Sequence, residues 1–330
     1  MRLLILGGTV FLGRHLSALA LDGGHRLTLF NRGRHNPDLF PHAQSLRGDR
    51  DDDLRALAQG EWDAVIDTSG YVPRIVRKSA RMLSERAGLY VFISSISVYA
   101  GAGAFRADED APLAAPCAST SEEVDARTYG PFKAQCEAVV TRETNGRCLI
   151  IRPGLIVGPH DPSDRFTYWP RRLSGGGEIL APGSPERQVQ FIDVRDLSAW
   201  ILRMIAQKRT GVFNATGPAR PLTMKRLLQQ SAEICDSLGK LVWVPDEFLQ
   251  AERVEPYTQM PLWMPGVDDA VDCGRAIKAG LAFRPLRATI WDTFAWDLSR
   301  PPGTALRAGL PLDREIAILR AWNERKTADA

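Results

Sequence analysis

Tyr129 and Lys133 stand four residues apart in Tyr-Gly-Pro-Phe-Lys, a spacing that places a phenol and an ammonium on one face of a helix. A free tyrosine, with a pKa of about 10, is a poor base at neutral pH. A neighbouring cation favours the phenolate and makes proton exchange with an alcohol or carbonyl feasible. The lysine can also hydrogen-bond a ribose. Tyr-x-x-x-Lys alone is common by chance. It gains weight from Ser94-Ser95-Ile96-Ser97-Val98-Tyr99, directly after the strand-like run Tyr90-Val91-Phe92-Ile93. A serine hydroxyl at the carboxyl end of a parallel strand can hold a substrate oxygen while charge develops on it.

A second constellation is Gly7-Gly8-Thr9-Val10-Phe11-Leu12-Gly13, between an apolar strand (Leu3 to Leu6) and a helical pattern. Glycines there let the backbone approach a pyrophosphate, and the helix N-terminus supplies N–H donors. At the end of the second strand an acidic residue would repel an adenosine 2′-phosphate. This chain has Asn31-Arg32, with Arg34 two residues on, so NADP is expected over NAD. Asp49-Arg50 is placed to flank the adenine, and Thr68-Ser69-Gly70 to pass beneath the adenine-side ribose.

The elements needed to position these groups are legible. Short β-rich runs alternate with helical patterns through the first half, the signature of βαβ units. Strands are expected at Leu3 to Leu6, Arg26 to Phe30, Ser45 to Arg47, Ala64 to Ile66, Tyr90 to Ile93 and Cys148 to Ile151, and a seventh at Val212 to Ala215. The acidic run Asp51-Asp52-Asp53 reads as a helix start, and residues 100–127 as a long loop. Pro131 places the start of the Tyr129 helix within a turn of that tyrosine. The fold expected is α/β, a Rossmann doubly wound parallel sheet with a smaller, irregular C-terminal lobe. Residues 1–157 and 190–216 make the dinucleotide-binding domain; 158–189 and 217–330 make the substrate-binding lobe.

The chain has 330 residues and a net charge of +3, too mild to drive nucleic-acid or membrane binding by itself. The five cysteines are scattered with no Cys-x-x-Cys pair, so neither a disulfide framework nor a metal site is expected. No apolar run approaches the roughly 18 residues of a membrane helix. A soluble, cytoplasmic protein is the expectation.

Taken together, these motifs resemble the extended short-chain dehydrogenase/reductases, the NAD-dependent epimerase/dehydratase family. The resemblance also runs through Arg152-Pro153-Gly154-Leu155-Ile156-Val157-Gly158-Pro159, Phe191-Ile192-Asp193-Val194-Arg195-Asp196, Gly211-Val212-Phe213-Asn214 and Leu281-Ala282-Phe283-Arg284-Pro285. It implies Tyr129 as general acid/base, Lys133 as its electrostatic partner and Ser95 as the catalytic serine, with Ser97 second. Ser94, Pro153 and Leu155 join the cofactor set, and a homodimer is the family's habit. The form Gly-Gly-Thr-x-Phe-Leu-Gly, with Val10 where a central glycine is usual, resembles a branch that includes chloroplast stem-loop-binding proteins. Nucleotide-sugar enzymes of the family usually carry an asparagine at Leu155 and often a phosphate-binding arginine near Val189. Both are apolar here, although Arg187 stands close by.

The function expected is hydride transfer between NADP and a carbonyl or carbinol of a small substrate that is not a nucleotide sugar. The alternatives are a sugar epimerase or dehydratase with tightly held NAD(P), and a non-catalytic RNA-binding or redox-sensing Rossmann protein. Ser97, Tyr99, Phe166, Tyr168, Trp169 and Trp263 are the substrate-side candidates; packing in the small lobe's core is the other reading of its aromatics.

Overall fold

A computed structural model describes residues 1–101, 106–117, 121–266 and 270–328. In chain order the elements are β1 (Arg2–Leu6), α1 (Phe11–Asp22), β2 (Arg26–Asn31), β3 (Gln44–Arg47), β4 (Trp62–Asp67), α2 (Pro73–Leu83), β5 (Ala87–Ile93), α3 (Tyr129–Glu143), β6 (Cys148–Pro153) and β7 (Leu155–Val157). They continue with α4 (Tyr168–Ser174), β8 (Glu178–Pro182), β9 (Phe191–Asp193), α5 (Val194–Ala206), β10 (Gly211–Ala215), α6 (Met224–Ile234), β11 (Lys240–Val244), α7 (Asp246–Ala251), α8 (Gly274–Lys278), α9 (Leu286–Leu298) and α10 (Leu312–Ala328). The chain divides into two compact units. The first holds Met1–Ile156, Val194–Gly217 and Val271–Phe283; the second holds Val157–Asp193, Pro218–Ala270 and Arg284–Ala330.

The first unit is built on a seven-stranded sheet of order β10-β6-β5-β4-β1-β2-β3, every pairing parallel. This is the Rossmann arrangement, with helices flanking the sheet. Its inner strands β1, β4, β5 and β6 are largely apolar and buried because both faces are covered, whereas edge strand β3 is mostly exposed. Alternate residues Leu4, Leu6, Val65, Tyr90, Phe92 and Ile150 pack with Val76, Ala80 and Leu83 of α2 and Cys136, Val139 and Val140 of α3. On the other side α1 packs against α5.

The strand order reverses between β1 and β4, and ligands of open parallel sheets bind at such a switch point, beyond the carboxyl ends of the strands. The seven expected strands are present. The helix expected from Asp51 is not: the segment holds only a 3-10 turn, Arg55–Leu57. Asp49 and Asp53 spend their carboxylates on the backbone N–H groups of Asp51 and Arg55 at 3.0 Å each, a local competition that turns the chain before a helix can propagate.

Residues 271–283 belong to the first unit although they lie far along the chain. Asn214 at the end of β10 holds them, its amide donating to Ala107 O (3.1 Å) and Asp272 O (2.9 Å). In the second unit α4, α6 and α9 pack together, and α10 lies against β8, which pairs with β11. Charged ties hold these helices. Arg171 Nε donates to Asp297 at 2.6 Å, Arg300 to Asp164 at 2.8 Å, and Arg172 to Glu315 at 2.5 Å.

Candidate active site

The glycine loop is shaped by contacts that exclude side chains. Gly7 and Gly8 have φ of +109° and +93°, a region costly for any residue with a Cβ. A Cβ on Gly7 would lie 2.6 Å from Thr68 Oγ1, and one on Gly13 2.7 Å from the Gly8 nitrogen. α1 therefore starts hard against the loop, with no acidic side chain in its first turn to occupy its N–H groups. Val10 occupies the N-cap with φ −127° and ψ 136°, extended backbone natural to a β-branched residue. Its side chain is 43% exposed. The loop keeps its shape without a central glycine; what Val10 adds is an isopropyl group at the mouth of the cradle. Phe11 follows with φ +37°, and Leu12 is buried.

Neighbouring strand ends are tied to this loop. Thr68 Oγ1 donates to Leu6 O at 2.9 Å, and Ser69 Oγ to the same carbonyl at 3.3 Å. Thr9 Oγ1 donates to His35 O, and Asn36 returns a bond to Thr9 O. Asn31 has both ends of its amide engaged. Nδ2 donates to Gly7 O (3.1 Å), while Oδ1 accepts from Gly33 N (2.8 Å) and Arg47 Nη1 (2.9 Å). The position after β2 thus carries no negative charge. Arg32 and Arg34 are exposed there, and Arg32 stands 3.9 Å from Asp49.

The Arg50 side chain turns inward from the segment expected to flank an adenine. It makes a two-pronged pair with the fully buried Asp67, at 2.7 and 2.6 Å, and also donates to Ser79. Burial works against its charge, but Asp67 and the Tyr90 hydroxyl restore it, and its pKa stands above the ordinary value.

The strand ends on the far side of the switch point carry the groups expected from the sequence to exchange protons. Lys133 is 3% exposed and donates to Gly70 O (2.8 Å) and Ile93 O (2.7 Å), stitching the segments that follow β4 and end β5. Burial pushes its pKa down to about 8, against the pull of Asp67. Tyr129 sits one helical turn earlier, half-buried, with the Lys133 ammonium 6.0 Å from its ring centroid. Gly130 makes that placement possible: a Cβ there would meet Ser97 O at 2.1 Å, so α3 begins in contact with the turn after β5. Ser95 caps that turn, its Oγ accepting from Ser97 N and donating to Ser97 Oγ, both at 3.1 Å. Ser97 itself is exposed.

Three groups are absent from the site residues expected from the sequence, although Arg152 stands in one of the motifs that carry the family resemblance. Glu137, four residues past Lys133, takes the Ser94 hydroxyl and pairs with Arg152 at 2.7 Å, both partners buried. Arg152 also donates to Tyr99 OH (3.0 Å). The i, i+4, i+8 run Tyr129, Lys133, Glu137 was the available signal. The third is Tyr71, 46% exposed, whose ring centroid lies 6.3 Å from that of Tyr129.

These contacts correct other expectations. Ser94 is 2% exposed, and its hydroxyl donates to Glu137. Tyr99, 7% exposed, donates to Asn214 Oδ1 at 2.6 Å and belongs to the buried network, not to a substrate surface. Phe166, Tyr168, Trp169 and Trp263 are core residues of the second unit. Phe166 packs edge-on against Phe191, Tyr168 against Trp169, Trp169 donates to Pro261 O, and Trp263 donates to Asp246. Pro153 is buried and Leu155 half-buried. No helix among the described residues is long and apolar enough to cross a membrane, and none of their His, Cys, Asp or Glu side chains cluster as a metal site.

With this geometry in view, the likenesses to known proteins are specific. The profile of the NAD dependent epimerase/dehydratase family matches residues 3–215; the chain belongs to that family, the extended short-chain dehydrogenase/reductases. The chain is 26% identical over 242 residues to the chloroplast stem-loop binding protein of 41 kDa b of Arabidopsis thaliana. That match covers 66% of this chain and 58% of the relative, less than two thirds of its length. Among solved structures, UDP-N-acetylglucosamine 4-epimerase from Bacillus cereus superposes with a TM-score of 0.70 at 13% identity, over 92% of this chain and 99% of that one. UDP-glucuronic acid 4-epimerase from Bacillus cereus, in complex with NAD, gives 0.68 at 15% over 93% and 100%. UDP-glucose 4-epimerase from Thermus thermophilus, also with NAD, gives 0.67 at 15% over 91% and 100%.

Proposed function

We propose that this chain is an NADP-dependent oxidoreductase acting on a carbonyl or carbinol of a small substrate that lacks a nucleotide. The observation that carries the reading is Lys133: a buried ammonium, anchored on two backbone carbonyls, beside a half-buried tyrosine on the same helix face. In this reading Tyr129 gives a proton to the substrate oxygen during reduction and takes it during oxidation. Lys133 favours the phenolate and offers its remaining N–H to a ribose hydroxyl. Ser95 steadies the oxygen with its hydroxyl. The bound nicotinamide supplies or accepts the hydride.

Gly7 and Gly13 support a dinucleotide, because with no Cβ the loop packs directly on Thr68 and on the start of α1, which leaves its backbone N–H groups at a helix N-terminus where a pyrophosphate is favoured. The uncharged, doubly held Asn31 with exposed Arg32 and Arg34 supports NADP over NAD. Arg187 supports a substrate without a diphosphate, because its guanidinium is spent on Asp246 and on Met264 O.

A second reading, an epimerase or dehydratase with retained NAD(P), draws on the solved sugar 4-epimerases that superpose on this chain. One experiment separates the cases. The purified protein is checked for retained cofactor, titrated calorimetrically with NADP, NADPH, NAD and NADH, then assayed for NADPH oxidation with a panel of small ketones and aldehydes. Preference for the phosphorylated pair, lost in Arg32→Ala, is expected. So is a fall in turnover of ~10²–10⁴ in Tyr129→Phe at nearly unchanged cofactor affinity. Turnover retained by Tyr129→Phe refutes the acid/base role, and dinucleotide surviving purification favours the epimerase.

A further inference from the structure

Resting on the proton-exchange role of Tyr129 and Lys133, we propose that Tyr71 is a positioning residue for that lysine. Its ring closes the water side of the cage around the Lys133 ammonium and keeps the charge unsolvated beside Tyr129.

Four groups form the cage. Gly70 O and Ile93 O accept two of the three N–H bonds at 2.8 and 2.7 Å. The rings of Phe92 and Tyr71 lie over the ammonium with centroids 4.9 and 4.8 Å away, within the range of cation–π attraction. Phe92 is 0% exposed and Lys133 3%, whereas Tyr71 is 46% exposed. Of the two rings, Tyr71 is therefore the one that separates the charge from water. It also borders Tyr129, the rings inclined at 41°, so two phenols share one cation.

The backbone fixes this ring in place. Gly70 cannot carry a side chain, since a Cβ would meet Phe92 Cε2 at 2.6 Å and Val76 Cγ2 at 2.9 Å. Gly70 holds Lys133 through its carbonyl and passes directly into Tyr71. Val72 is extended, and Pro73 opens α2. The segment that bonds the ammonium is the segment that roofs it.

The other charged and titratable groups acting on Lys133 are buried and mutually neutralised, or uncharged. Asp67 at the end of β4 is paired with Arg50, Glu137 on α3 is paired with Arg152, and Cys136 is a thiol whose pKa burial raises to about 12. The ring's two effects on Lys133 oppose each other: attraction for the cation favours its charge, while exclusion of water disfavours it. Burial is the largest influence on the lysine and lowers its pKa to about 8, and Tyr71 is the partly exposed wall of that burial, so exclusion is taken as the ring's larger effect. Removal of the ring should admit water, raise the lysine's pKa and screen its effect on Tyr129.

The chain has seven lysines, few enough to titrate by ¹³C-lysine NMR, with Lys133→Met supplying the assignment. Lys133 should titrate near 8 in the wild type and in Tyr71→Phe, which keeps the ring. In Tyr71→Ala and in Tyr71→Gln, a polar replacement that serves if the alanine variant folds poorly, it should climb toward the ordinary value of about 10.4. The pH profile of NADPH-dependent carbonyl reduction should shift with it, the loss falling on kcat and not on the KM for NADPH. A Lys133 titration unmoved by either ring-removing variant overturns the proposal, as does Tyr71→Phe behaving like Tyr71→Ala. The titration needs no substrate. An unmoved lysine thus refutes the cage alone, whereas turnover without Tyr129 refutes the catalytic reading alone.

Discussion

Glu137 joins two demands on one carboxylate: it neutralises the buried guanidinium of Arg152, and it accepts the Ser94 hydroxyl beside Ser95. A buried ion pair adds little to stability in itself, but removing one partner strands the other charge in a low dielectric. Glu137→Ala should therefore cost about 3–5 kcal/mol, read from denaturant midpoints, and lower turnover by letting the turn after β5 shift. Glu137→Gln keeps the shape and an acceptor for Ser94, and its cost should be smaller. A loss below about 1 kcal/mol in Glu137→Ala would show that Arg152 finds water or another partner. The charge was readable as one residue on the face of Tyr129 and Lys133. Its partner lies on β6, and only the pairing of α3 with that strand makes the two meet.

The turn from β1 into α1 tests how far a motif tolerates change. Gly7, Gly8 and Gly13 each occupy positions where a Cβ would collide, but Val10 does not. Valine is a poor N-cap and stands exposed at the mouth of the loop. Val10→Gly should tighten NADPH binding roughly fivefold, about 1 kcal/mol, with little change in the backbone of β1 or α1. Calorimetry decides the matter; equal or weaker affinity would mean that the isopropyl group contributes to the dinucleotide site. The same comparison of propensity with context explains the helix expected at Asp51. Acidic residues suit a helix start, yet here their carboxylates bond the backbone N–H groups two residues on and make turns.

In the proposed function, substrate class rests on side-chain pairings within the second unit. Arg187 sits near the place where the family resemblance implies a phosphate-binding arginine, but Asp246 and Met264 O occupy it, and Trp263 takes the other oxygen of Asp246. UDP-glucose at millimolar concentration should leave the melting temperature unchanged, where a specific ligand at many times its Kd would raise it. A clear stabilisation would restore the nucleotide-sugar reading. The sheet, its parallel order and the glycine loop were determined by the sequence itself, because alternation of strand and helix periods and the steric needs of glycine are local properties. The shared face of Tyr129 and Lys133 was equally legible, since a spacing of four residues on a helix fixes it. Tertiary structure alone decided which charges are free to meet a ligand. Arg50, Tyr99 and Arg187 carry the right chemistry for binding, but partners 17, 115 and 59 residues away claim their polar atoms, and no local pattern reports such pairings.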